Sequence, residues 1–188
     1  MSDTPKHTLN PNKWISLHSD YMYNYTITRV SNHDLAKDLV QETFLSSLKA
    51  MANYKGLASE RTWLISILKR KIIDHYRKSN SIKGKAEVRM SFYEDGENRG
   101  KWIEERAPSD WGDAASDIEN EELKSALDYC IDELPEKYKA VFILKTIDNY
   151  ETKEICNELG ITSSNLWVLI HRARVQLRAC LEGNWFKN

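Results

Sequence analysis

Apolar residues return every three or four positions along most of this 188-residue chain, and little interrupts them. That period is the signature of helices that bury one face. Only seven glycines and four prolines are present, and three of the glycines fall between positions 91 and 116. A many-stranded sandwich or barrel needs far more turn residues than that. The pattern therefore predicts an all-α protein.

Asn10-Pro11 reads as a helix start, and Trp14, Leu17, Tyr21 and Tyr25 follow as one helical face. A break at Val30-Ser31-Asn32 precedes a helix over 33–51 with apolar Leu35, Leu39, Val40, Leu45 and Leu48. Asp38, Gln41 and Glu42 share its polar side, which taken alone is ordinary solvated surface. A third helix spans 59–78. Leu64, Ile67, Leu68 and Ile72 form its apolar arc, while Ser66, Lys69, Arg70 and Arg77 lie largely opposite. Trp63 and Tyr76 border the two faces. Basic residues interleaved with aromatics suit single-stranded nucleic acid, because cations hold phosphates and exposed rings stack on unpaired bases. The same pattern also fits a solvated basic face with Trp63 and Tyr76 in the core. Helical spacing resumes at 117, through Ile118, Leu123, Leu127 and Ile131, then after Leu134-Pro135 to about 147, over 152–159, and over 163–181.

The net charge of -1 hides two opposed blocks. Residues 61–85 carry eight bases and one acid, a net of +7, whereas residues 94–122 carry eleven acids and three bases, a net of -8. Most of the acidic block falls in a linker that also holds Phe92, Tyr93, Trp102 and Trp111, aromatics of the kind that dock on something. The chain thus divides into residues 10–80, a linker over 81–116, and residues 117–182. Cys130, Cys156 and Cys180 are odd in number and widely spaced, so three thiols in a reducing cytoplasm are expected, with neither a disulfide framework nor a metal site. The N-terminus has no apolar stretch after its charges, and the longest apolar runs are five residues. Neither a signal peptide nor membrane insertion is expected.

Residues 151–178, ETKEICNELGITSSNLWVLIHRARVQLR, read as a helix-turn-helix, with Gly160 in the turn and Thr162 as a plausible cap. In such a motif the second helix lies in the major groove with its first residues at the base edges. Ser163, Ser164 and Asn165 occupy those positions, and Arg172, Arg174 and Arg178 can hold phosphate. An αα-hairpin that binds no DNA has the same outline.

Taken with the first half, these residues resemble a specific family. AKDLVQETF at 36–44, RTWL at 61–64 and IIDHYRK at 72–78 are similar to region 2 of bacterial sigma-70 factors. LPEKY at 134–138 through HRAR at 171–174 is similar to region 4. The two-region layout resembles the small extracytoplasmic-function (ECF) group. The resemblance implies a region 2 helical bundle and a region 4 helix-turn-helix joined by the acidic linker. It implies a monomeric, cytoplasmic sigma factor that directs core RNA polymerase to promoters and opens DNA without chemistry or cofactors. Asp38, Gln41, Glu42 and Phe44 would bind the β′ clamp helices of core polymerase. Trp63, Lys69, Arg70, Tyr76, Arg77 and Lys78 would hold the melted minus-ten element. Ser163, Ser164, Asn165, Trp167, His171, Arg172 and Arg174 would read the minus-thirty-five element, with region 4 on the β flap. The linker would thread toward the active-site cleft and stand in for nucleic acid. The linker and C-terminal ending resemble a subgroup associated with zinc-binding anti-sigma factors, so an anti-sigma factor is an implied partner.

Three departures leave the promoter sequence unassigned. The family often has ARN where this chain reads Leu68-Lys69-Arg70. It often has polar residues where this chain has Trp167-Val168-Leu169, which can meet thymine methyls or pack against Trp185-Phe186 or a partner. Glu151 replaces the usual Ser or Thr cap. An enzyme is not expected, since His7, His18, His33, His75 and His171 are scattered and no HExxH, GxSxG or P-loop pattern occurs. A helix-turn-helix regulator working without polymerase would leave DLVQETF and the basic-aromatic helix idle.

Overall fold

A computed structural model describes residues 7–82 and 121–184. Its seven α-helices are α1 (Trp14–Val30), α2 (His33–Ala50), α3 (Glu60–Ile82), α4 (Glu121–Asp132), α5 (Glu136–Phe142), α6 (Thr152–Leu159) and α7 (Ser163–Asn184), and no strand occurs among the described residues. The linker aromatics, all of the linker's acids, Ile118, Lys83, Lys85 and Trp185-Phe186 lie outside the described residues.

Local chemistry sets the boundaries. Ser31 takes a left-handed conformation that ends α1, and Asn32 then caps α2 by accepting the Leu35 N–H at 2.9 Å. Glu151 replaces the usual cap without loss: its carboxylate and that of Glu154 form a reciprocal capping box at the start of α6. Gly160, at φ 65°, closes α6 in the left-handed region that a side chain would strain. The Thr162 hydroxyl accepts the Asn165 N–H at 3.2 Å and starts α7.

The buried faces of α1 and α2 differ from the expected ones. In α1, Trp14, Met22 and Thr26 point inward, while Leu17 and Tyr21 are exposed. Thr26 can be buried because its hydroxyl donates to the Met22 carbonyl at 2.7 Å. In α2 the inward stripe is Ala36, Val40, Thr43 and Ser47, together with Leu39. Thr43 and Ser47 satisfy themselves on the carbonyls of Leu39 and Thr43, at 2.6 and 2.7 Å. Small side chains line the packing surface, and Leu45 and Leu48 are left 60% and 48% exposed. Leu64, Leu68, Ile72, Ile73 and Tyr76 of α3 complete this first bundle.

In the second bundle, α5 and α4 pack against α7. A π-helical turn, Ile143–Ile147, prolongs α5. Leu166, Leu169, Ile170, Ala173, Leu177 and Leu181 of α7 face the core. One expectation is overturned here: Cys130 and Cys180 form a disulfide, leaving only Cys156 free. The α4 and α7 helices pack side by side and bring the two Cα atoms to 5.8 Å, a proximity that a 50-residue separation does not reveal.

The two bundles also pack on each other, with α3 against α5 and α6, and α1 against α5. A nearly buried ion pair joins Arg29 of α1 to Asp148, with its shortest contact at 2.6 Å. Tyr25 lies over the Arg29 guanidinium at 3.5 Å. Burial lowers the ease of charging Arg29, but the Asp148 carboxylate and Tyr25 outweigh it and hold the guanidinium above its ordinary pKa. Lys139 of α5, itself buried, pairs with Asp132 and reaches the Ser31 hydroxyl across the interface.

Candidate polymerase and nucleic-acid interface

Asp38, Gln41 and Glu42 stand on the outward side of α2. Glu42 meets Lys71 of α3 at 3.2 Å, an exposed pair worth little stability. Phe44 is separate from that strip. It is half-buried and stacks on Trp14 with ring centroids 6.4 Å apart. Leu45 and Leu48 instead continue the outward strip, because each falls seven residues after Asp38 or Gln41 and two helical turns bring it to nearly the same angle. In sequence these two leucines count simply among the apolar positions of the helix. Their seven-residue offset from the polar positions was the signal that could have placed them outside.

On α3, Trp63, Arg70 and Arg77 succeed one another every seven residues along one line of the helix. Arg70, Arg77 and Lys78 are exposed. Trp63 is half-buried between Trp14 and Tyr54, at centroid distances of 6.0 and 5.2 Å. Lys69 is half-buried, with its ammonium about equidistant from the Tyr25 and Tyr150 rings, at 5.9 and 6.0 Å. Tyr76 does not border the surface: it is 1% exposed and donates to the Arg29 carbonyl at 2.9 Å. Burial pushes its phenol pKa well up, so the hydroxyl stays a neutral donor. Its ring is a core element in this conformation and offers no face to a base.

The second bundle already engages part of this basic surface. Arg77 binds the Glu158 carboxylate of α6 at 2.7 Å and the Glu158 carbonyl at 2.7 Å, besides Asp74 at 3.1 Å. His75 meets Glu136 of α5 at 2.7 Å. Sequence reading had given no role to Glu158 or Asp148, since nothing local marks a carboxylate that will meet a base roughly eighty or more residues away.

At the start of α7, Ser163 and Ser164 are exposed and Asn165 is half-buried. Trp167 and Val168 are 51% and 46% exposed, whereas Leu169 is buried. His171 and Arg172 are half-buried, and Arg174 is exposed. Arg178 pairs with Glu182 at 3.0 Å. The geometry thus brings Ser163, Ser164, Trp167, Val168 and Arg174 onto the open side of the motif. Among the described residues, no group of histidine, cysteine or carboxylate side chains could hold a metal ion.

The sigma-70 region 2 family model matches residues 14–82, and the sigma-70 region 4 model matches residues 124–177. A probable RNA polymerase sigma factor of Haemophilus influenzae is 34% identical over 165 residues, covering 85% of this chain and 84% of that protein. The chain belongs to the sigma-70 family. The ECF sigma factor SigX of Bacillus subtilis is 28% identical over 166 residues, covering 88% of this sigma factor and 79% of SigX. A solved sigma factor RpoE from Bartonella quintana, in complex with the anti-sigma factor NepR, aligns over 92% of this chain and 97% of that one with a TM-score of 0.43 and 18% identity. That match is too distant to place residues. The chain is accordingly an RNA polymerase sigma factor, acting in promoter-directed transcription initiation. Sigma factors as a class are not enzymes. No helix among the described residues is long and apolar enough to cross a membrane.

Proposed function

We propose a division of labour within this sigma factor. Residues 10–80 act as region 2 and residues 117–182 as region 4, joined by the linker over 81–116. The outward strip of α2, Asp38, Gln41 and Glu42 with Leu45 and Leu48, binds the β′ clamp helices of core polymerase. Charges at its edge set orientation, and two exposed leucines supply apolar area. Phe44 acts by holding α2 on Trp14. Trp63, Lys69, Arg70, Arg77 and Lys78 hold the minus-ten strand, with Tyr76 positioning the helix from the core. Ser163, Ser164, Asn165, Trp167, His171, Arg172 and Arg174 address the minus-thirty-five duplex, with region 4 seated on the β flap. An anti-sigma factor is the expected inhibitor, and the cytoplasm is where the protein works.

The observation that carries this reading is the exposed mixed strip on α2, since a regulator acting on duplex DNA alone has no use for it. The test is direct. The protein should bind core polymerase and support run-off transcription from a promoter selected with the holoenzyme. The double variant Asp38→Ala, Glu42→Ala should weaken core affinity on the order of tenfold and leave the circular dichroism spectrum unchanged. Unchanged core affinity would remove the α2 assignment, and duplex binding without polymerase binding would remove the whole reading.

A further inference from the structure

We infer that this sigma factor reads thymine methyl groups in its minus-thirty-five element through Trp167 and Val168. The inference rests on the reading of α7 as the helix that enters the major groove. Leu166, Leu169 and Ile170 turn into the core and fix the rotation of the helix. With that rotation, Ser164, Trp167, Val168 and His171 share the outward strip, at the three- and four-residue steps of one helix face. Trp167 and Val168 are the large apolar members of the strip, and they sit within the first two turns of α7. Those are the turns that a helix-turn-helix places at the base edges.

Charge selects the occupant. From Gly160 to Leu181 the chain has three arginines and no acid. Arg174 and Arg172 flank the strip on either side by helical angle. An apolar strip bordered by cations, with the one acid of the helix, Glu182, at its far end, fits a polyanion with apolar points in its groove. In the major groove the apolar point is the C5 methyl of thymine. Valine has no hydrogen-bonding group, and tryptophan has one N–H donor and no acceptor, so neither can distinguish bases through the bidentate pairings open to arginine or asparagine. Two side chains one residue apart on an α-helix are close enough to meet adjacent base pairs. The element should therefore contain one or two neighbouring thymines opposite Trp167 and Val168, with Ser164 and Asn165 supplying the polar contacts beside them. The Thr162 cap fixes the entry to α7, and the Cys130–Cys180 bond ties its far end to α4, so the strip sits on a firmly held helix.

The experiment uses holoenzyme. The element is first selected from random duplex, and each thymine is then replaced singly by deoxyuridine, which deletes the methyl and keeps every hydrogen bond. For wild-type holoenzyme, one or two adjacent replacements should weaken binding roughly fourfold per methyl, and the others should have no effect. For holoenzyme with Trp167→Ala and Val168→Ala, that penalty should vanish and selection should lose its preference for thymine there. If wild-type holoenzyme transcribes from the promoter but no deoxyuridine weakens it, methyl reading is overturned and the sigma assignment stands. If the double variant selects the same element and keeps the penalty, the strip contacts a protein instead, and the inference is likewise overturned. Absence of any promoter-directed transcription by the wild-type holoenzyme overturns the functional reading itself.

Discussion

Tyr76 shows how a residue at the border of two helix faces is decided only by packing. Its position among lysines and arginines fits either an exposed ring or a core ring, and in the fold its hydroxyl meets the Arg29 carbonyl and its ring fills the first bundle. Tyr76→Phe should lower stability by about 1 kcal/mol in chemical denaturation, the usual net value of one hydrogen bond, and leave promoter melting at wild-type level. A melting defect at unchanged stability would return Tyr76 to the DNA surface. Glu60 has a comparable hidden partner set. Burial would raise its pKa, but the Asn10 amide and His18 together hold the carboxyl below the ordinary 4.5. Because the folded value is the lower one, Glu60 stabilises the fold above the ordinary value and loses that contribution as pH falls through the depressed value. Glu60→Gln should make stability less steeply dependent on pH below about 4.5 in acid denaturation monitored by circular dichroism.

At the scale of elements, helix positions were legible and helix faces less so. The expected span 152–159 coincides with α6, the expected ends of α2 fall within one residue of the observed ones, and α3 starts one residue later and runs four residues further than expected. Capping and breaking residues act over one or two turns, so a local reading finds them. Faces depend on what packs opposite. Thr43 and Ser47 are inside because their hydroxyls are satisfied by their own helix, and they share with Ala36 a small size that suits the packing surface. Leucines at 45 and 48 were then left outside, where a hydrophobicity count would not put them. The pairing of α4 with α7 through Cys130 and Cys180 is likewise a property of two elements together. Closing a loop of that length should contribute roughly 2–4 kcal/mol, so dithiothreitol should lower the melting temperature of the oxidised protein. Cys130→Ser with Cys180→Ser should match the reduced protein, and a melting temperature independent of reductant would show that the pair does not stabilise the fold.

For the whole molecule the two bundles are closed on each other, and the proposed roles of regions 2 and 4 predict that they separate at a promoter. Elements near -10 and -35 are about 25 base pairs apart, or roughly 85 Å of duplex at about 3.4 Å per step. The Arg77–Glu158 contact at 2.7 Å holds the two halves together, so on the proposed roles it is expected to break when both elements are engaged. Residues 83–120 number 38, and a fully extended chain of that length reaches about 130 Å, so the connection permits the separation. Opening also returns Arg29 and Asp148 to water, which makes their pairing a contribution to the closed state alone. Asp148→Asn with Glu158→Gln should therefore raise the radius of gyration in small-angle scattering above that of the wild-type chain, whose compact form should lie near 16 Å. An unchanged radius would mean that these ion pairs do not hold the bundles together. Period, punctuation and motif are carried by neighbours a few residues apart, so the sequence by itself determined an all-helical chain, its helix-turn-helix and its sigma-70 family. Which faces are buried, which cysteines join, and which acids occupy the bases of α3 were decided only by tertiary packing, because each depends on a partner that the chain brings near only when folded.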